Sequence, residues 1–338
     1  MTTTDLGGSV VSTGVVERRF RAMGCDTHVV VVGDAGLADG ADELAALGDH
    51  AERRIERLEA RWSRFRETSE LSVVNAAAGR PTLVSEDTYR LFEHAVRAWD
   101  LTSGRFDPTV LEAMEQLGYD RDFRALRREP RPDRPTGDGA VAVLRRTRPS
   151  PGCSAIRLDP CVRSVALAPG VTVDPGGIGK GLAADIVVAE LMELGATGAM
   201  VNLGGDLAAQ GRAPTEAGWV VGVEDPRDRH RVLARVTIHS GGVCTSSRLR
   251  RTWCARDGRP VHHILDPRSG DCLATDIASI TVVAGAAWWA EALSKAVFVE
   301  GDQDPERVQR LLTHAHALVI TVDGERRRYG DRGVFGLA

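Results

Sequence analysis

Residues 171–185 read V-T-V-D-P-G-G-I-G-K-G-L-A-A-D, and this stretch decides the predicted fold. An apolar run that predicts a strand ends at Asp174, glycines turn the chain, and a helix predicted over 179–194 begins with Lys180 in its first turn. Unpaired N–H groups and a partial positive charge at a helix N-terminus suit phosphate, and glycines let the backbone approach an anion. The stretch therefore predicts a site for the pyrophosphate of a dinucleotide. It matches neither the P-loop pattern nor G-x-G-x-x-G, and a tight strand–helix turn with an exposed lysine is the alternative.

Working outward, the chain alternates loosely between helical and strand patterns. Apolar residues at helical spacing predict helices over Asp42–Ser63, Asp87–Leu101, Ala286–Phe298 and Pro305–Leu312. Runs rich in β-branched residues predict strands over Arg18–Val32, Ala199–Leu203, Gly218–Glu224, Val232–Ile238, Ile277–Val283 and Ala317–Thr321, with short strands between 154 and 173. Because several strand pairs look like hairpins, we expect an α+β fold with mixed, largely antiparallel sheets flanked by helices.

The domain organisation follows from composition along the chain. Residues 1–17 are polar and small and are expected to form a disordered lead, followed by a single domain over 18–338. Residues 127–152 carry five prolines and many arginines, which predicts a surface loop.

Charge and composition exclude some classes of function. The 338 residues include 43 basic and 47 acidic side chains, so no basic excess indicates binding to nucleic acid. No run of 18 apolar residues is present, so we expect no membrane span. The start lacks a signal-peptide pattern, and the six cysteines form no C-x-x-C pair, so we expect a cytoplasmic protein with reduced thiols. The oligomeric state stays open.

Four further segments carry groups suited to chemistry, and each has a plainer explanation. In S-G-R-F-D-P-T-V at 103–110, Asp107 can cap a helix, or Phe106 and Asp107 can meet a planar ring and its polar edge. In V-H-H-I-L-D-P-R-S-G at 261–270, a strand and turn explain the end of the segment, while a histidine is a plausible proton carrier. A-M-V-N-L-G-G-D-L at 199–207 and C-T-S-S-R-L-R-R at 244–251 fit a β-turn and a solvated strand edge, respectively.

Taken in this order, the segments resemble the FAD:protein FMN transferase family, also called the ApbE or thiamine-biosynthesis-lipoprotein-like family. The resemblance runs from about residue 21 to about residue 301. It also includes R-A-M-G-C at 21–25, S-R-F followed by S-E-L-S-V-V-N between 63 and 75, and A-E-A-L-S at 290–294. Each motif is weak alone, but the ordered set is specific.

The resemblance implies an ApbE-like, T-fold-related architecture and a defined reaction. Members bind FAD and Mg²⁺ and move FMN onto a Thr or Ser hydroxyl of a target protein, releasing AMP. The positions that match FAD contacts are Met23, Phe65, Arg105, Phe106, Asp107, Asp174, Lys180, Ile264 and Leu265. His263, Lys180 and Asp266 are the candidates for catalysis, and Gly177, Glu291 and Ser294 are the candidates for metal ligation.

The sequence departs from the family pattern at the metal site. The family usually has Asp and, four residues later, Thr, whereas this chain has Glu291 and Lys295. Three interpretations are open: Lys295 pairs with Glu291 and leaves a weaker metal site, Lys295 takes the place of the metal and neutralises phosphate itself, or catalysis is lost and flavin binding remains. The alternatives to FMN transfer are therefore hydrolysis of FAD to FMN and AMP, and a flavin-binding paralogue without Mg²⁺-dependent activity.

Overall fold

The structure, a computed structural model, describes residues 9–12, 14–33, 40–128, 148–255, 257–301, 304–331 and 333–337. Its helices are α1 Gly40–Trp62, α2 Glu70–Ala76, α3 Glu86–Leu101, α4 Leu111–Gln116, α5 Phe123–Arg128, α6 Gly179–Glu193, α7 Ala287–Glu300 and α8 Pro305–Leu311, with short 3₁₀ turns at Pro108–Val110 and Cys153–Ala155. Its first nine strands are β1 Ser9–Ser12, β2 Val15–Ala22, β3 Cys25–Val32, β4 Thr82–Leu83, β5 Ile156–Asp159, β6 Ser164–Leu167, β7 Gly198–Leu203, β8 Asp206–Gly211 and β9 Trp219–Glu224. The others are β10 Val232–Ile238, β11 Gly241–Ser247, β12 Thr252–Cys254, β13 Pro260–His262, β14 Leu265–Asp266, β15 Asp271–Cys272, β16 Ile277–Ala284, β17 His316–Thr321, β18 Arg326–Tyr329 and β19 Phe335–Leu337.

A nine-stranded sheet, in the order β1-β2-β3-β7-β8-β11-β16-β17-β18, organises the fold. All of its strand pairs in the described ranges are antiparallel, from Val29 opposite Val201 to Val282 opposite Ala317. The predicted α+β class with largely antiparallel sheets is therefore confirmed. None of the helices in these ranges is both long and apolar enough to cross a bilayer.

Both faces of the large sheet are covered. Helices α1, α6 and α7 pack on one face, where Val29 and Val31 join the larger core, and the sheet β19-β10-β9 covers the other, where Val30 and Val32 join a second core. Alternate residues of one strand thus enter two cores, which explains an uninterrupted run of valines. Every residue of β16 is buried for the same reason.

The predicted strand over Arg18–Val32 is two strands joined by a tight turn. Met23 and Gly24 have φ of 49° and 70°, so the chain reverses between β2 and β3, and Ala22 pairs with Cys25. Two successive residues with positive φ match the twist of a hairpin. The turn was missed because a methionine at positive φ is uncommon.

Residues 9–12 and 15–17 of the segment that was expected to form a disordered lead over 1–17 lie in strands β1 and β2. β1 pairs with β2 from Ser9 opposite Arg18 to Ser12 opposite Val15, and Val16 is buried in the core. Pairing with a neighbouring strand orders a segment whose composition alone gives little sign of it. Residues 1–8 and 13 lie outside the described residues.

Two smaller assemblies frame the site. Helices α2 and α3 pack on the sheet β4-β6-β5, and α4 and α5 pack beside β12 and β13. Of the predicted surface loop at 127–152, residues 127–128 end α5 and 148–152 have no regular structure, while 129–147 lie outside the described residues.

Candidate active site

A cavity of about 520 Å³ lies where the β2–β3 turn, the start of α6 and the segments around β12–β14 meet. It collects every position that the resemblance assigned to FAD contact: Met23, Phe65, Arg105, Phe106, Asp107, Asp174, Lys180, Ile264 and Leu265. Gly177, His263 and Lys295 also line it. Residues separated by more than 270 positions in the chain are thus brought to one concave surface, the usual setting of a small-molecule site.

The glycine-rich turn is not preceded by a strand, contrary to prediction. The backbone of Val173 bonds to the side chain of Asn75, which accepts from its N–H at 2.9 Å and donates to its carbonyl at 3.0 Å. The N–H of Asp174 donates to the carbonyl of Pro108 at 2.8 Å. The hydrogen bonds of this segment go to a side chain and a loop, so no sheet ladder forms.

Asp174 fixes the turn that follows. One carboxylate oxygen accepts the N–H of Gly176 at 2.6 Å, and the other lies 3.1 Å from the guanidinium of Arg64. That guanidinium lies over the rings of Phe65 at 4.3 Å and Tyr119 at 4.5 Å. The arrangement leaves Phe65 41% exposed, so its ring is accessible at the cavity. Arg64 and Tyr119 were not predicted, although Arg64 lies within the S-R-F motif.

Four charged side chains meet beneath the turn. Lys180 pairs with the buried carboxylates of Asp206 and Glu291, with Nζ 3.1 Å from Oε1 of Glu291. Nζ of Lys295 lies 3.4 Å from the same oxygen, and the N–H of Gly181 donates to Oε2 at 2.8 Å. Burial alone raises the pKa of Glu291, but the two ammonium groups and the Gly181 N–H outweigh it and hold that pKa below its usual value.

Helices α6 and α7 cap each other. The carboxylate of Asp185 on α6 accepts the N–H groups of Ala287 and Trp288 at the start of α7, at 2.9 and 2.8 Å. In return Glu291 of α7 accepts the N–H of Gly181 in the first turn of α6. A Cβ at Gly181 would lie 2.5 Å from the carbonyl oxygen of Ala287, so glycine is required for this approach.

His263 lines the cavity with Nδ1 buried and without a hydrogen-bond partner among the described residues. Its pKa lies well below the ordinary value, first because the ring is buried and then because the positive charges of Arg251 and Lys295 disfavour protonation of the imidazole. The imidazole is therefore neutral near pH 7 and able to accept a proton. Arg251, which also lines the cavity, was assigned to a solvated strand edge from the sequence.

The remaining predicted residues divide between the site and its support. Asp107 caps the 3₁₀ turn by accepting hydrogen bonds from the N–H and Oγ1 of Thr109, and it also lines the cavity. Burial raises the pKa of Asp107 and outweighs these hydrogen bonds, which lower it. Arg105 pairs with Glu300. Asp266, a predicted catalytic residue, does not reach the cavity: it pairs with Arg268 at 2.8 Å, closes its own turn and lines a neighbouring cavity of about 400 Å³.

The predicted metal ligands do not form a donor set for Mg²⁺. Oε1 of Glu291 is shared by two ammonium groups, and Oγ of Ser294 is taken by the carbonyl of Glu291 at 2.7 Å and by Oγ of Ser246 at 2.6 Å. In the described part of the chain, no group of three or more His, Cys, Asp or Glu side chains is placed to hold a metal ion. Adjacent ammonium groups repel a dication, so Mg²⁺ does not fit these residues.

Comparisons with known proteins place this chain in a family. The model of the ApbE family matches residues 23–319. The FAD:protein FMN transferase of Haemophilus influenzae is 26% identical over 92% of this chain and 88% of its own, and that of Klebsiella pneumoniae is 30% identical over 70% of each. The crystal structure of the ApbE protein from Thermotoga maritima superposes with a TM-score of 0.79 at 28% identity, covering 96% of this chain and all of that one. The chain therefore belongs to the ApbE family.

Proposed function

We propose that this protein is a flavin transferase that takes FMN from FAD and attaches it to a Thr or Ser hydroxyl of a target protein, releasing AMP. The observation that carries the proposal is the pair of ammonium groups, Lys180 and Lys295, at a glycine-rich turn inside a cavity with exposed aromatic and apolar lining. Relatives named FAD:protein FMN transferase support it.

The reaction exchanges one phosphorus–oxygen bond for another. The acceptor oxygen bonds to the phosphorus on the FMN side, the bond from that phosphorus to the bridging oxygen breaks, and the bridging oxygen leaves with AMP. Charge on the phosphate oxygens must be neutralised throughout, because phosphoryl transfer depends mainly on positioning and electrostatics. Lys180 and Lys295 supply that charge.

His263 is the group that receives the acceptor's proton. In the free protein the burial of the ring, and then the nearby cations Arg251 and Lys295, keep the pKa of His263 low, which makes it a weak base. A pyrophosphate beside Lys295 offsets this repulsion and raises the pKa of His263, so the base becomes stronger when FAD is bound.

Magnesium has no step in this proposal. The resemblance implies Mg²⁺ at Gly177, Glu291 and Ser294, but the donor atoms of Glu291 and Ser294 are committed elsewhere. The neutralising groups that the structure supports are the two lysines.

Transfer is tested by incubating the purified protein with FAD and a panel of peptides that each present one Thr or Ser. We expect a peptide to gain one FMN and an equal amount of AMP to appear, and a matched peptide with Val in place of Thr to stay unmodified. Free FMN and AMP formed equally without any peptide would instead identify hydrolysis of FAD. No AMP under any condition would identify a flavin-binding protein without transferase activity.

A further inference from the structure

The chain contains only two lysines among its 43 basic residues, and both lie on one buried carboxylate of the candidate site. All other basic positions are arginine. Arginine is planar and forked, whereas the lysine ammonium is a compact point charge. A compact charge is what a divalent cation would provide, so the two exceptions indicate a local requirement.

The cluster directs its positive groups toward the cavity. Lys180 and Lys295 line the cavity with side chains 17% and 18% exposed, whereas the carboxylates of Asp206 and Glu291 are 3% and 0% exposed beneath them. The four charges sum to zero, yet an anion in the cavity meets the ammonium groups first. Such a site attracts phosphate without leaving a buried charge unpaired.

Lys295 also lies at the turn that faces the pyrophosphate. A Cβ added at Gly177 would lie 3.8 Å from Cε of Lys295 and 2.9 Å from the ring of Phe106. The lysine stem thus passes beside the glycine whose carbonyl the resemblance assigns to the metal. The N-cap of α6, Ile178, gives no side-chain hydrogen bond to this helix start.

The geometry points to Lys295 as a built-in replacement for the divalent cation, so that FAD pyrophosphate is held by a Lys180–Lys295 pair and its binding does not depend on Mg²⁺. This inference rests on the proposed function, because it assigns the phosphate subsite of the same reaction. Oε1 of Glu291 is the counter-charge that both ammonium groups share.

The test is a fluorescence titration of the full chain with FAD, in EDTA and in excess Mg²⁺. We expect the two dissociation constants to agree within about twofold. We expect Lys295→Met to weaken FAD binding at least tenfold in both buffers while leaving riboflavin, which has no phosphate, bound as in the parent. Equal loss of riboflavin and FAD would mean that Lys295 only supports the fold and would overturn the inference, as would FAD binding that requires Mg²⁺.

A second measurement uses the scarcity of lysine. Reductive methylation followed by mass spectrometry reports Lys180 and Lys295 separately. Both should be labelled in the free protein and protected by FAD in EDTA; labelling of Lys295 unchanged by FAD would overturn the assignment. The two proposals also fail separately. Metal-dependent FAD binding removes only the role of Lys295, whereas metal-indifferent binding without FMN transfer removes only the transferase.

Discussion

Glu291→Gln removes the negative charge that both lysines share while keeping an acceptor for the N–H of Gly181. At an effective dielectric of about 20, each lysine contact, at 3.1 and 3.4 Å, amounts to about 5 kcal/mol of attraction. Desolvation of the buried carboxylate offsets much of this, and removing one partner of a buried ion pair typically costs 3–5 kcal/mol. Because Lys180 keeps Asp206, we expect a loss near the lower end, about 3 kcal/mol in the free energy of unfolding.

The same substitution should strengthen FAD binding. One fewer negative charge near the pyrophosphate is expected to lower the dissociation constant about fivefold, equivalent to ~1 kcal/mol. Urea unfolding and FAD titration of one preparation measure both effects. The matched control is Asp49→Asn, which breaks an ion pair with Arg18. Because the side chain of Asp49 is 52% exposed, this substitution should lower the free energy of unfolding by less than about 1 kcal/mol. A Glu291→Gln protein as stable as that control, or one with weaker FAD binding, would refute the reasoning.

Three further outcomes are expected. His263→Ala should abolish AMP release with a peptide acceptor while the FAD dissociation constant changes less than about threefold; an unchanged rate would exclude His263 as the proton acceptor. Burial and, after it, the charge of Arg248 lower the pKa of His262 to about 4 in the folded protein, from about 6.5 in the unfolded chain. As the pH falls below about 6.5, the unfolded chain therefore binds a proton at this histidine before the folded protein does. The free energy of unfolding should therefore decline between pH 6.5 and pH 4, by ~1.4 kcal/mol per pH unit from this group. Urea unfolding at several pH values should show a smaller decline for His262→Gln. An identical slope in the variant would contradict the assignment. Gly181→Ala should lower the free energy of unfolding by about 2–3 kcal/mol, because the added Cβ clashes with the carbonyl of Ala287. The control Gly285→Ala, which has open space around the added Cβ, should change that free energy by less than about 0.5 kcal/mol. Equal effects in urea unfolding would show that the clash does not exist.

Helices with one apolar face could be predicted from spacing alone. The stripe that includes Leu44, Ala51 and Ile55 predicts α1, and the observed bounds differ from the predicted ones by two residues or fewer. Helix α6 lies between the sheet, α1 and α7 and is buried almost all round, so it shows no such stripe. Its position came instead from the glycines that precede it.

Partners distant in the chain could not be predicted from spacing. The i,i+4 relation between Glu291 and Lys295 is visible in the sequence, but the contact of Lys180 with Glu291 joins residues 111 positions apart. Asn75 was noticed only as part of a motif, and its role as a substitute strand partner for Val173 depends on where α2 docks. Asp266 was assigned to catalysis because its motif is adjacent to His263, whereas the local turn consumes its carboxylate.

The mutual capping of α6 and α7 makes the two helix starts one cooperative unit. The fraying of either first turn breaks a hydrogen bond that the other helix also needs, so neither end can open alone without removing an N–H donor from the buried carboxylate of Asp185 or Glu291. Their amides should therefore exchange with solvent at a shared, high opening free energy. Structural adjustment to a bound dinucleotide is then left to other parts of the cavity lining, such as the exposed ring of Phe65.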